Sequence, residues 1–235
     1  MKNSIFILTG AGISAESGIQ TFRGESGLWE GHRVEDVASP AGFHRDPALV
    51  FEFYNVRRAK IREAQPNAAH LALARLEREF SGTVTVVTQN IDDLHERAGS
   101  RNVIHMHGEA LKARCRDCRN ISPCENNLDE TNRCPTCHVV GRLRPHIVWF
   151  GEMPLFMDEI YLVLSKADLF ISIGTSGQVY PAAGFAEAAS QHGIRTIEVN
   201  PASTKISPHF DEHLRGAAGQ KVTELVGRLL EPHAG

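Results

Sequence analysis

IFILTGAGISA, residues 5–15, decides the fold. Its first four residues are apolar without alternation, which suits a strand buried on both faces of a parallel sheet. Gly10-Ala11-Gly12-Ile13-Ser14-Ala15 follows as a G-x-G-x-x-A form of the dinucleotide fingerprint, directly after that strand and before a helix-compatible stretch. Glycines there permit a tight turn and let main-chain N–H groups approach a pyrophosphate. On its own the pattern is moderately specific, because an ordinary glycine turn has the same composition.

Working outward, three more apolar runs end in polar or small clusters. Residues 84–88 lead into Gln89-Asn90, residues 169–173 into Gly174-Thr175-Ser176, and residues 196–199 into Asn200-Pro201. Ligands of open α/β sheets bind outside the carboxyl ends of the strands, so four clusters at four strand ends describe one crevice. The fold class expected is α/β, a Rossmann-type doubly wound parallel sheet. Helices are marked between the strands. One is capped by Asp46, has Pro47 at its first position and runs to residue 65; others span 68–80 and 182–192. Residues 24–44 carry few periodic positions and are expected to form a mobile loop near the cofactor. A hydride-transferring enzyme of this fold would show a second strand about twenty residues on, ending in an acidic residue. Here Thr21-Phe22-Arg23-Gly24-Glu25 stands instead, which argues for nucleotide chemistry other than hydride transfer.

The 235 residues are 42% hydrophobic and 23% charged, enough for one large core plus a small module, and exclude a disordered chain. A net charge of −3 gives no broad basic field for nucleic acid or membrane, although Arg114, Arg116 and Arg119 form a local basic stripe. No apolar run approaches the roughly 20 residues that span a bilayer. Met1 lies four residues before the first apolar run, so no signal peptide is expected and a cytoplasmic location is.

Residues 113–142 break the α/β rhythm, being polar and rich in Asn, Arg and Cys. Within them Cys115-x2-Cys118 and Cys134-x2-Cys137, fifteen residues apart, have the spacing of a zinc ribbon. Four thiolates complete a tetrahedral shell and leave no open position, so one structural zinc is expected, supplying folding free energy that so polar a segment lacks. The alternative is four reduced cysteines without metal. Cys124 is left over, as a small apolar side chain or an exposed thiol. The expected organisation is a large domain from about 1–25, 82–112 and 143–235, and a small one from insertions at 26–81 (helical) and 113–142 (zinc ribbon).

GAGISAESGIQTFRG (10–24), TQNIDDLH (88–95), HMHGE (105–109), the four cysteines and GTS (174–176) together resemble the sirtuin family in order and spacing, over nearly the whole chain. That resemblance implies an NAD-consuming protein-lysine deacylase, with the substrate entering between the domains. It places Gly10, Ala11, Gly12, Phe22 and Arg23 at the NAD pyrophosphate and ribose, and Gln89, Asn90, Ile91 and Asp92 around nicotinamide. Gly174, Thr175 and Ser176 fall at phosphate or the adenine ribose, and Asn200, Pro201, Ala202 and Ala218 around adenosine. Taken singly, Thr175 and Pro201 fit ordinary turn chemistry as well.

His107 in HMHGE is the catalytic base the resemblance implies: the acyl oxygen displaces nicotinamide, and His107 then draws a proton through the ribose hydroxyls, ending in free lysine and O-acyl-ADP-ribose. Imidazole suits this because its ordinary pKa of about 6.5 leaves it mostly neutral at cellular pH. His95 and His105 keep a structural reading, and a His105-x-His107 metal pair is the weaker alternative for these histidines. Tyr54 and Arg57, three apart on the first capped helix, project from one face. They resemble the Tyr-x-x-Arg pair with which class III sirtuins recognise succinyl and malonyl groups, Ala38 leaving room for the longer chain. On spacing alone a solvated helix face, with Arg57 pairing Glu residues, is the favoured reading. Val148, Phe150, Gly151 and Glu152, with Val179 and Tyr180, belong to the two segments implied to sandwich the substrate peptide as an added strand. Two further readings are a protein mono-ADP-ribosyltransferase and a non-catalytic zinc-ribbon binding module.

Overall fold

The computed structural model describes residues 3–20, 28–29 and 31–231. In chain order, β1 (Ser4–Thr9) leads into a 3-10 helix (Ala11–Ser17). A short hairpin of β2 (Leu28–Trp29) and β3 (His32–Arg33) precedes α1 (Val34–Val37), α2 (Pro40–Arg45), α3 (Pro47–Glu63) and α4 (Ala68–Glu79). Then come β4 (Thr83–Thr88), α5 (Leu94–Ala98), β5 (Val103–His105), β6 (Gly108–Cys115), β7 (Ile121–Pro123) and β8 (Leu143–Ile147). The chain continues through α6 (Met157–Leu164), β9 (Leu169–Ile173), α7 (Gly184–Gln191), β10 (Arg195–Val199), β11 (Glu212–Leu214) and α8 (Ala218–Leu230).

Six strands form one parallel sheet in the order β11-β10-β9-β1-β4-β5. Its continuous apolar runs are explained by helices on both faces. Ile5, Ile7, Val84, Val86 and Ile171 pack on one side against Leu73 and Leu76 of α4 and Val222 and Leu225 of α8. Phe6, Leu8, Val87 and Phe170, one residue out of step, pack on the other against Ile160, Leu164 and Phe185. Strand order reverses at β1 and β9, which opens a crevice at their carboxyl ends. No helix among the described residues is long and apolar enough to cross a membrane.

A second layer joins α1, α2 and α3 to an antiparallel sheet, β7-β6-β8, around Val50, Phe53, Tyr54, Leu143, Ile147 and Trp149. This sheet includes residues 108–115 and 143–147, because Gly108 turns with φ +80 and β6 then pairs with β8. Cys115 and Cys134 are buried against this core, so the zinc segment is not wholly without apolar support. Arg58, 1% exposed, ties the layer together: Nε donates to the Ala110 carbonyl at 2.9 Å, and Nη1 to Asn55 Oδ1 at 2.6 Å and the Asn126 carbonyl at 3.2 Å.

Three local expectations also change. Residues 31–44, read as loop, are largely hairpin and short helix; Ser39 caps α2 by accepting from Gly42 N at 2.9 Å, with Pro40 next. α3 ends at Glu63, two residues early, because Gln65 precedes Pro66 and is pushed out of the helical region. α7 starts at Gly184, after a turn across Pro181. The caps of α3 and α4 follow their sequences. Asp46 accepts from Leu49 N, and Asn67 accepts from Ala69 N while its amide donates to the Ile13 carbonyl at 2.7 Å. The two ends of the chain also meet: Gly219 N, at the start of α8, donates to Glu16 Oε2 of the 3-10 helix at 2.6 Å.

Candidate active site

The loops after β1 and β9 touch through main chain. Gly10 N donates to the Ile173 carbonyl at 2.9 Å and Gly12 N to the Gly174 carbonyl at 2.8 Å. A Cβ on Gly12 would lie 2.6 Å from Gly174 Cα, and Gly174 itself has φ +64. The glycines are therefore required by two backbones crossing in contact. From Ala11 the fingerprint itself winds into a seven-residue 3-10 helix that ends at Ser17.

β4 supplies the next group. Gln89 Nε2 donates to Thr175 Oγ1 at 3.1 Å, Asn90 Nδ2 to Ser14 Oγ at 3.1 Å, and Ser14 Oγ to Asp92 Oδ2 at 3.0 Å. Leu94 N completes the set by donating to Asp92 Oδ1 at 3.2 Å. Burial raises the Asp92 carboxyl pKa, with the Leu94 and Ser14 hydrogen bonds opposing. The Asn90–Ser14–Asp92 chain fixes each rotor in one direction of donation.

His107 lies in the joint between the two sheets, after β5 and before β6. Its Nδ1 is 3.0 Å from the Gln89 carbonyl oxygen. A carbonyl only accepts, so Nδ1 carries the hydrogen and Nε2 keeps the lone pair. Burial lowers the pKa of His107 below the ordinary imidazole value, the Gln89 bond working the other way. His105 differs. Its Nε2 is 2.7 Å from Glu96 Oε1 and its Nδ1 3.4 Å from the Asn90 carbonyl, so both nitrogens are engaged within the protein and the metal pair with His107 loses its ligand. His95 is fully buried, with Nε2 3.0 Å from Thr9 Oγ1.

Every expected cofactor and substrate residue among the described residues lines one cavity of about 1070 Å³. That is the upper end of the range for small-molecule sites, and suits an extended ligand. Phe22 and Arg23 lie outside the described residues. At the far end Tyr54 is 0% and Arg57 6% exposed, which overturns the solvated-face reading of that pair. Trp149 Nε1 donates to Tyr54 Oη at 3.1 Å, leaving the phenol O–H to donate elsewhere. Burial pushes the Tyr54 pKa well up, so the phenol stays protonated. Ala38 is buried, and its carbonyl accepts from Phe150 N at 2.9 Å. Glu152 also lines the cavity, but its carboxylate is taken up inside the protein. It accepts from Arg144 at 2.7 and 2.9 Å, Arg114 at 2.9 Å and Trp149 N at 2.9 Å, so it braces the segment it was expected to present to peptide.

The sulfurs of Cys115, Cys118, Cys134 and Cys137 all lie within 4.8 Å of one another, with Cys115–Cys137 at 3.7 Å and Cys118–Cys134 at 3.6 Å. A zinc tetrahedron with bonds of about 2.3 Å has edges of about 3.8 Å, so the donor set fits the ion. Cys124 stands apart, its Sγ 3.6 Å from the Asn126 carbonyl.

Residues 10–181 match the model of the Sir2 family. The chain belongs to that family. It is 57% identical over 97% of its length to an NAD-dependent protein deacylase of Vibrio parahaemolyticus, covering 95% of that protein. A deacylase of the same description from Escherichia coli is 56% identical, over 98% of this chain and 85% of the relative. Among solved structures, a Sir2 homologue in complex with NAD superposes with a TM-score of 0.86 at 44% identity, covering 96% of this chain and 89% of that one. A Sir2 protein bound to acetylated peptide gives 0.78 at 30% identity, covering 97% and 92%.

Within this Sir2 cavity the structure brings in residues that sequence reasoning did not assign. Ser14 joins the polar chain, and its place inside the glycine fingerprint was the available signal. Trp149 lies between Val148 and Phe150 of the segment implied to flank the peptide, but its hydrogen bond to Tyr54 spans 95 positions, beyond any local pattern. Trp29 and Lys60 also line the cavity. Lys60 is three residues beyond Arg57 on the same helix, so one more step of the Tyr54–Arg57 spacing reaches it; Trp29 is the one Phe, Tyr or Trp between Phe22 and Phe43.

Proposed function

We infer that this chain is an NAD-dependent protein-lysine deacylase that releases nicotinamide and O-acyl-ADP-ribose, and that succinyl and malonyl groups are substrates alongside acetyl. The observation that carries the reading is His107: its Nδ1 is committed to the Gln89 carbonyl, in the same cavity as the crossed glycine loops and the buried Tyr54–Arg57 pair.

NAD, when bound, supplies an electrophilic ribose carbon with nicotinamide as its leaving group. The protein's part is placement and proton transfer. The glycine loops, with Thr175 and Ser176, offer a close main-chain approach for the diphosphate. Asn90 and Asp92 give a fixed polar wall for the carboxamide, and Asn200, Pro201, Ala202 and Ala218 surround adenosine. Asn200 is itself held, its Nδ2 donating to the Thr175 carbonyl at 2.7 Å. His107 Nε2 accepts a proton from a ribose hydroxyl, and its Nδ1–H, anchored on a carbonyl, keeps the ring in that tautomer while it does so. Arg57 and the Tyr54 O–H meet the distal carboxylate of an acidic acyl group, a planar fork and a neutral donor on one helix face. Val148, Phe150, Gly151, Val179 and Tyr180 hold the flanking peptide. The four cysteines hold one structural zinc that takes no part in the chemistry.

Acetyl-, succinyl- and malonyl-lysine peptides incubated with NAD test this, with nicotinamide and O-acyl-ADP-ribose followed by mass. All three should give the matching O-acyl product. ADP-ribose appearing on protein without an acyl product would establish a transferase instead, and absence of any turnover a binding module.

A further inference from the structure

We propose that Trp29 is a positioning residue for acidic acyl recognition, holding the Arg57 guanidinium in an aromatic corner. The inference rests on the reading of Arg57 as the carboxylate receptor. Arg57 Cζ lies 4.0 Å from the centre of the Trp29 ring and 3.9 Å from that of Phe53. The two rings are 5.2 Å apart and meet at 72°, so they form two walls and the guanidinium fills the angle between them.

Arginine has long rotamer freedom, and a carboxylate is bound bidentately only when the fork is flat and correctly turned. Both ring faces present negative potential to the cation, so the corner attracts it and removes most of its orientations before substrate arrives. Phe53 reaches the corner from α3, the helix of Arg57 itself. Trp29 comes from the hairpin of β2 and β3, whose Trp29 pairs with His32. That hairpin is seated on α3 by the same rings: His32 lies 5.4 Å from Phe53 at 83°, and Trp29 6.5 Å from Tyr54. The segment leading out of the glycine loop thereby supplies one wall of the acyl pocket. A selectivity device built from α3 alone would lack that wall.

The experiment compares KM and kcat for succinyl- and acetyl-lysine peptides in Trp29→Leu, Trp29→Phe and Arg57→Met, with zinc content and melting temperature confirming the fold. Trp29→Leu keeps Arg57 but removes the π face. Its KM for succinyl peptide should rise roughly three- to tenfold relative to that for acetyl peptide, with kcat moving less. Trp29→Phe retains a face and should restore most of the difference. If Arg57→Met abolishes succinyl selectivity while Trp29→Leu leaves it intact, or if Phe rescues no better than Leu, the positioning role is wrong and the function of Arg57 stands. If Arg57→Met changes both substrates equally, the acidic-acyl reading itself fails. Should Trp29→Leu not fold, Trp29→Met removes the ring in its place, and a lack of any KM split in that variant would overturn the proposal.

Discussion

At one end of the cavity Gly12 N meets the Gly174 carbonyl at 2.8 Å; at the other, Trp149 Nε1 meets Tyr54 Oη at 3.1 Å. The first contact is main chain between two parallel strand ends, and the second joins side chains from β8's downstream turn and a helix. The end proposed for the cofactor is consequently fixed by the topology of a sheet covered on both faces. The end proposed for the acyl group depends on how α3, the antiparallel sheet and the zinc segment pack together. Damage to packing should therefore fall on acyl recognition before it reaches the glycine loops.

Zinc removal is the strongest test of that difference. Cys134→Ser should lose the single bound zinc and destabilise the second layer, at a cost on the order of several kcal/mol, read by elemental analysis and thermal melting. NAD binding that vanishes together with acyl binding at temperatures where the sheet is still folded would break the distinction. His107→Ala should fold and bind zinc normally while deacylation falls roughly 10²–10⁴-fold in kcat. Near-normal turnover in that variant would remove His107 from the reaction.

Arg57→Met sharpens the other side. Losing a charge-assisted contact of about 1.5–3 kcal/mol should lower the ratio of desuccinylation to deacetylation kcat/KM roughly ten- to hundredfold. Tyr54→Phe should move the ratio the same way by less.

Two buried histidines give a smaller, pH-dependent effect. Burial lowers the pKa of His70 to about 4, and that of His95 well below the ordinary value. Between the ordinary value near 6.5 and about 4 the unfolded chain binds more protons, so stability is present above pH 6.5 and is lost as pH falls. Unfolding free energy should fall across that window by up to about 1.4 kcal/mol per pH unit for each histidine, read as a falling melting temperature. A flat profile would mean that these rings are not held neutral. The acid limb of kcat/KM should likewise lie below pH 6.5, since burial lowers the pKa of His107. Cys124→Ser, the smallest change, should leave zinc content unaltered.

What the sequence made legible follows the same division. Strands such as residues 169–173 and the clusters after them are local patterns, and the observed β9 has those bounds. The cysteine spacing likewise encodes its own geometry. Trp29 and Trp149 were illegible as site residues because their meaning comes from contacts across 24 and 95 positions, with Phe53 and Tyr54. At Glu152 what was illegible is the use of its carboxylate. Its sequence neighbours pointed to peptide, while Arg114 and Arg144, from strands of the antiparallel sheet, take up its charge. The hairpin and α2 were missed although Ser39-Pro40 marks a helix start, because the glycines nearby favoured a loop reading.

The Glu16–Gly219 hydrogen bond makes α8 part of the frame around the glycine loop. Glu16 stands in the 3-10 helix that follows Gly10, and its carboxylate reaches the start of α8, 203 positions later. Val222 and Leu225 of the same helix belong to the apolar cluster that holds Ile5 and Ile171 of β1 and β9. A change that unseats α8 therefore reaches the glycine loop through one carboxylate, far in sequence from the fingerprint it disturbs.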